Sequence, residues 1–119
     1  MPVRGIRGAT VVRKDTREEV MRATRELLQA IVSANDVNVE DVASVIFTVT
    51  PDIRSEYPAR AARDLGWTDA ALLGATEMDV RGGLPRCIRV LLHVNTDRSP
   101  HQMKHIYLHE ARTLRPEKR

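Results

Sequence analysis

Glu77-Met78-Asp79-Val80-Arg81-Gly82-Gly83-Leu84-Pro85-Arg86-Cys87-Ile88-Arg89-Val90-Leu91-Leu92-His93-Val94 is the stretch that decides the fold. It opens with acids, turns on Gly82-Gly83, and becomes the most apolar run of the chain. Side chains along a strand alternate with a period of two. Ile88, Val90, Leu92 and Val94 then share one apolar face, and Cys87, Arg89, Leu91 and His93 share the other. The first face is written for a core. The second carries a guanidinium in mid-strand, where desolvation is costly unless an anion pairs with it. With Glu77 before the turn, the segment reads as hairpin-like, with opposite charges on its two arms.

Working outward, the 119 residues predict a single domain over 1–119. Aromatics are few (Phe47, Tyr57, Trp67, Tyr107), so the core must be mostly Val, Leu, Ile and Ala. No apolar run approaches a membrane span, and no signal-like apolar segment follows Met1. Cys87 is the sole cysteine, which excludes an intrachain disulfide. The expected location is the cytoplasm. The net charge of +3 is carried mostly by Arg, the better residue for bidentate recognition of carboxylate or phosphate.

Val3 to Val12 reads as a first strand, with Arg7 between Gly5 and Gly8, glycines that would clear space beside it. Thr16 and Glu19 have capping-box spacing, and a helix runs on to about Ala34, with Val20, Ala23, Leu27 and Ile31 on its apolar stripe. Asn38 caps a short helical turn. Ala43 to Thr50 is nearly continuous in β-branched and apolar residues, as in a strand buried on both faces, and Thr50-Pro51-Asp52 stops it. Pro58 starts a short Ala-rich helix that Gly66 ends, placing Arg60 and Arg63 on one helix face. Ala70 to Leu73 reads as a short strand, the central strand extends to about Asn95, and His105 to Leu114 reads as a last strand. The tail beyond Pro116 is charged and expected to be mobile. The order predicts an α/β (α+β) domain, a mixed five-stranded sheet with helices on one face. The second face, with its arginines, then needs sister subunits to cover it.

The common catalytic signatures are missing. There is no phosphate-cradling glycine loop and no nucleophile with a base. His105 and His109 are four apart, which on a helix could hold a metal; on a strand they share a face but stand well separated, with no carboxylate motif around them. Cys87 in an apolar strand reads as a small core residue. What remains is Arg7, Arg63, Arg89 and Arg115 in or beside strands, with Glu77 and Tyr107. Cations without a metal or nucleophile suit a small anionic molecule. Nucleic acid calls for a continuous basic patch with stacking aromatics, and here the basic residues are interleaved with acids.

A family resemblance rests on an ordered set of motifs: Arg4-Gly5-Ile6-Arg7-Gly8-Ala9-Thr10, Thr50-Pro51-Asp52, Tyr57-Pro58-Ala59-Arg60-Ala61-Ala62-Arg63, Glu77-Met78-Asp79-Val80, Gly82-Gly83-Leu84, Cys87-Ile88-Arg89-Val90, Asn95-Thr96-Asp97, His105-Ile106-Tyr107-Leu108 and Leu114-Arg115-Pro116. In that order and spacing the chain resembles the monofunctional chorismate mutases of the Bacillus type, from residue 3 to about 116. The resemblance implies a homotrimer, a pseudo-barrel of three sheets with helices outside and active sites between chains. It implies conversion of chorismate to prephenate, toward phenylalanine and tyrosine, with no cofactor and no metal.

By the same resemblance Arg89 donates to the ether oxygen of the substrate, and Glu77 faces the ring. Arg7 and Tyr107 match positions that hold the side-chain carboxylate. Tyr57, Ala59, Arg60 and Arg63 match a wall supplied by the neighbouring subunit. Leu72 and Leu73 match pocket-lining positions, and Leu114 and Arg115 match a segment that closes over the site. Gly74 departs from the pattern: it stands where relatives commonly carry a small polar side chain that helps bind the ring hydroxyl. Leu73 stands where a threonine can occur. Spacing alone leaves bland readings open: Arg60 and Arg63 as wet helix arginines, Glu77 as a turn carboxylate pairing with Arg81, Tyr107 as a core tyrosine. A non-catalytic trimer binding a small carboxylate is the competing function.

Overall fold

The computed structural model describes residues 1–115; the charged tail from Pro116 onward lies outside the described residues. Five strands form one sheet: β1 (Val3–Val11), β2 (Val42–Val49), β3 (Ala71–Thr76), β4 (Cys87–Asn95) and β5 (Ile106–Tyr107). Their order across the sheet is β3-β2-β4-β1-β5. β4 lies in the middle, antiparallel to both β1 and β2, while the two edge strands pair in parallel with their neighbours. The apolar run from Cys87 is thus the axis of the sheet. It is not a hairpin arm, however. β2 separates β3 from β4, so Glu77 reaches Arg89 across a strand and not across a turn.

Helix α1 (Arg17–Asn35) begins where Thr16, in extended conformation, accepts the Glu19 N–H at 3.2 Å. Glu18 and Glu19 sit in the first turn, where the helix dipole favours them. The helix ends at Asp36 in the left-handed region (φ 50°). Asn38 caps a 3₁₀ turn, Val39–Asp41, as its spacing predicts. Helix α2 (Ala59–Asp64) follows Pro58 and ends before Gly66, whose φ of +91° suits glycine.

Both helices pack on one face. Leu27, Leu28 and Ile31 of α1 and Ala59 and Ala62 of α2 meet Ile6, Val45, Phe47, Val90 and Leu92 of the sheet in one buried cluster. Closeness here depends on Gly8. A Cβ at that position would stand 2.8 Å from the Ile31 Cδ1 and 3.2 Å from the Leu27 Cδ1. Gly8 therefore lets α1 approach the sheet. It does not clear space beside Arg7, which points to the opposite face and has only Gly5 on its own side.

Two further expectations are corrected. β2 is not buried on both faces: Val45 and Phe47 are fully buried, but Ile46 and Thr48 on the other face are only half-buried. The continuous apolar run reflects a face left for other contacts. The last strand also stops early. β5 is only Ile106–Tyr107, and the chain then enters a 3₁₀ turn, His109–Leu114, with His109 at φ 54°. His105 and His109 thus do not share a strand face. Nδ1 of His105 accepts the Arg7 N–H at 2.9 Å, while Nε2 of His109 lies 3.1 Å from Glu26. The 3₁₀ turn folds over one corner of the helix-free face, burying Ala9, Cys87, Tyr107 and Ala111 together.

Candidate active site

Register places the charged residues. Ala9 of β1 and Thr48 of β2 stand directly opposite Arg89, and Tyr107 stands opposite Ala9, so all four project from the helix-free face. The next row on that face holds Arg7, Leu91, Ile46 and Leu73. Ala9 is small, so nothing tall stands between Arg89 and the wall made by Tyr107. β3 ends at Thr76, and the next residue turns inward: the Glu77 N–H donates to the Val49 carbonyl at 2.8 Å. One Glu77 oxygen accepts the Thr48 hydroxyl at 2.6 Å, and the other lies 3.7 Å from Nη1 of Arg89. Glu77 makes no pair with Arg81; its carboxylate faces the sheet.

The Arg89–Glu77 contact is a loose one between half-exposed groups, worth about 0–1 kcal/mol. A guanidinium has five N–H donors in a fixed fork. No hydrogen bond from a described residue engages those of Arg89. The rigid central strand therefore holds a cation whose fork is open. Two hollows meet at this pair. One, of about 470 Å³, lies toward Thr50, Asp52, Leu84, Cys87 and Leu114. The other, of about 260 Å³, lies toward Arg7, Ile46, Thr48, Leu91 and Tyr107. Arg7 lines the second and makes no ion pair with a carboxylate among the described residues. Tyr107 is buried along its ring. Cys87 is buried, which pushes its thiol up to about 11 although Arg89 opposes the shift. It is a packing residue, not a thiolate. Burial, with Arg7 nearby, lowers the pKa of His105, which keeps its ring a lone-pair acceptor for Arg7.

Five expected site residues thus come together on one face: Arg7, Glu77, Arg89, Tyr107 and Leu114. Leu73 shares that face at the far edge and is 62% exposed. The others lie elsewhere. Tyr57 and Gly74 line a separate hollow of about 470 Å³ that also takes in Phe47 and Val49, on the helix side of the sheet edge. Ala59 is buried in the main core and Leu72, partly buried, packs against it, so neither side chain faces the Arg89 hollows. Arg60 is tied to Glu56 at 3.1 Å, and Arg63 is exposed on α2. Glu56 also accepts the Tyr57 N–H, which with Arg17 and Arg60 lowers its pKa. Arg115 is exposed just after the 3₁₀ turn.

Residues that spacing did not single out also matter. Thr48 orients Glu77, and His105 completes the hydrogen bonding of Arg7's backbone. Asn35 clamps Lys104, donating to its carbonyl at 2.9 Å and accepting its N–H at 2.7 Å, and so docks the segment that carries Tyr107. Each of these contacts joins parts of the chain remote in sequence, so no local pattern announces them.

The family model for type I chorismate mutase matches residues 3–118. The chain is 44% identical over 118 residues to chorismate mutase AroH of Bacillus subtilis (strain 168), covering 98% of this chain and 93% of that protein. It is 51% identical over 116 residues to chorismate mutase AroH of Thermus thermophilus, covering 97% and 95%. A solved chorismate mutase from Clostridium thermocellum superposes with a TM-score of 0.90 at 45% identity, covering 92% of this chain and 97% of that one. An open arginine fork on the central strand, an acid facing it across β2, and matches that span nearly the whole sequence lead to one statement: the chain belongs to the type I chorismate mutase family.

Proposed function

We propose that this chain converts chorismate to prephenate, as a single domain that assembles into a cytoplasmic homotrimer. The observation that carries the reading is Arg89, fixed on the middle strand with its fork hydrogen-bonded by no described residue and Glu77 held 3.7 Å away. The reaction is a Claisen rearrangement within one molecule. An ether C–O bond breaks as a C–C bond forms, with no proton transfer and no nucleophile. Negative charge builds on the ether oxygen and positive charge on the ring fragment. Arg89 donates to the first and Glu77 faces the second, so the pair matches the dipole of the transition state. A preorganised donor of this kind contributes about 3–4 kcal/mol. Arg7 and Tyr107 hold the side-chain carboxylate, which restricts the substrate to its compact form and lowers the entropic part of the barrier. The rearrangement calls for no metal or cofactor.

Assembly is supported by the placement of the two groups of site residues. Arg7, Arg89 and Tyr107 rise from one face of the sheet, and Tyr57 and Gly74 line a hollow on the other. A single chain cannot bring both to one ligand. A neighbouring copy can, with its Tyr57, Ala59, Arg60, Arg63 and Gly74 walling the cleft and Leu114 and Arg115 closing it. The apolar row Leu91, Ile46 and Leu73, left open on the helix-free face, also calls for cover.

Turnover of chorismate by purified protein in the presence of a chelator is the direct test. The spontaneous rate alone would refute the proposal, and tight chorismate binding without turnover would favour the carboxylate-binding trimer instead. Mixing tests the shared site: Arg89→Ala and Arg63→Ala chains, each inactive alone, should regain part of the activity when refolded together. No recovery would mean that one chain supplies both residues.

A further inference from the structure

Thr50-Pro51-Asp52 ends β2, and its side chains make a closed set of bonds at the entry to β4. Arg86, the residue before the strand, lies in the left-handed region at φ 49°, which is uncommon for a non-glycine residue. It is held there from three sides. Its N–H donates to both carboxylate oxygens of Asp52, at 3.0 and 3.1 Å. Its carbonyl accepts the Val12 N–H at 3.0 Å, and its Nε donates to the Val12 carbonyl at 3.0 Å. The next residue is held as well. The Cys87 N–H donates to the Thr50 hydroxyl oxygen at 2.9 Å, and the Cys87 carbonyl accepts the Thr50 N–H at 3.1 Å. The Thr50 hydroxyl closes the set by donating to Asp52 at 2.5 Å.

The last regular rung between β2 and β4 is Val49 with Ile88. One residue further, the Thr50 side chain takes the place of a backbone acceptor. The ladder is therefore pinned two residues before Arg89, at the point where the exposed loop carrying Met78 and Val80 joins the strand. Given the reading of Arg89 as the donor to the ether oxygen, on which this inference rests, we propose that Thr50 and Asp52 are positioning residues. Their clip isolates Arg89 from motion of the 78–85 loop and fixes its fork against the substrate.

Cys87 is the sole cysteine, sits inside the clip and is 4% exposed, so its labelling by a thiol reagent reports opening of this corner directly. Thr50→Val removes both hydroxyl bonds at nearly constant shape; Thr50→Ser keeps them. Misplacement of a catalytic group by about 1 Å lowers rate by roughly 100-fold. Thr50→Val should lose about 10- to 100-fold in kcat, with KM little changed and Cys87 labelled faster. Thr50→Ser should restore both. Combined with Arg89→Lys, Thr50→Val should add little further loss, because the clip acts through Arg89. If Thr50→Val does not fold, Asp52→Asn carries the same expectations, since it removes the charge and one of the two oxygens that accept the Arg86 N–H. Parental kcat in these variants beside a collapsed Arg89→Lys would overturn the clip alone, as would a fully additive loss. Parental kcat in Arg89→Lys would instead overturn the reading of Arg89.

Discussion

Replacing Arg89 by lysine separates two contributions that the arginine makes at once. The first is charge. A unit charge about 4 Å from a developing anion, at an effective dielectric near 20, contributes about 4 kcal/mol. Lysine keeps that charge, though on a flexible stem. The second is direction. The central strand aims the guanidinium fork, and no described residue competes for its donors. Losing a preorganised donor of this type costs about 2.7–4 kcal/mol. At about 1.4 kcal/mol per decade, Arg89→Lys should then lower kcat by roughly 100- to 1000-fold. The fold should hardly notice. The Arg89–Glu77 contact is half-exposed and loose, worth less than about 1 kcal/mol, so the melting temperature should move by only a few degrees. The assay is the disappearance of chorismate followed spectrophotometrically, beside a thermal melt of each variant. A kcat within tenfold of the parent, in a folded variant, would show that charge alone suffices and would refute the argument from fork geometry.

Gly74 has open space where a Cβ would stand, so Gly74→Ser should fit and supply the polar contact that the family resemblance leads one to expect there. A new hydrogen bond of about 0.5–1.5 kcal/mol would lower KM by roughly two- to tenfold, and an unchanged or higher KM in steady-state kinetics would count against that hydroxyl contact. Gly8→Ala should destabilise the fold by about 1–3 kcal/mol, because the added carbon meets Ile31 and Leu27 inside contact distance; denaturant unfolding checks this, and parental stability would show that α1 can shift freely. The lowered pKa of His105 has a sign consequence. The folded state binds this proton less readily than the unfolded chain, so its stabilisation is complete above about 6.5 and is lost as pH falls through the folded value. His105→Ala should be less stable at neutral pH but lose less between pH 6.5 and 5, and equal slopes of unfolding free energy in the two proteins would refute that assignment.

Much of the fold was legible because its signals are local. The Thr16–Glu19 cap, the Pro58 start and Gly66 stop of α2, and the alternation of Ile88, Val90, Leu92 and Val94 each state their structure within a few residues. The chain's last part was misread because His105 to Leu114 alternates weakly, and a single left-handed residue, His109, ends the strand. The place of Arg89 and Arg7 on one face followed from spacing within each strand together with the antiparallel register. The link from Glu77 to Thr48 did not, since it depends on which strand lies between β3 and β4. The role of Gly8 was misassigned for a similar reason: a glycine in a strand signals a close approach, but not from which side. Tyr57 and Gly74, which line a hollow apart from Arg89, were linked to the site only through family resemblance.

The position of β4 between β1 and β2 also bears on how the chain is made. β1 and β2 never pair with each other; each pairs with β4, which is synthesised after both. β1 and α1 emerge first, and for them the sheet does not exist until residues 87–95 arrive. Closing such long loops is slow, and the early strands wait with open edges. A nascent chain halted before Cys87 has the β2–β3 ladder available to it and nothing for β1 to join. The strand that aims Arg89 is therefore also the strand that completes the sheet, so chains able to finish folding are the same chains that carry Arg89.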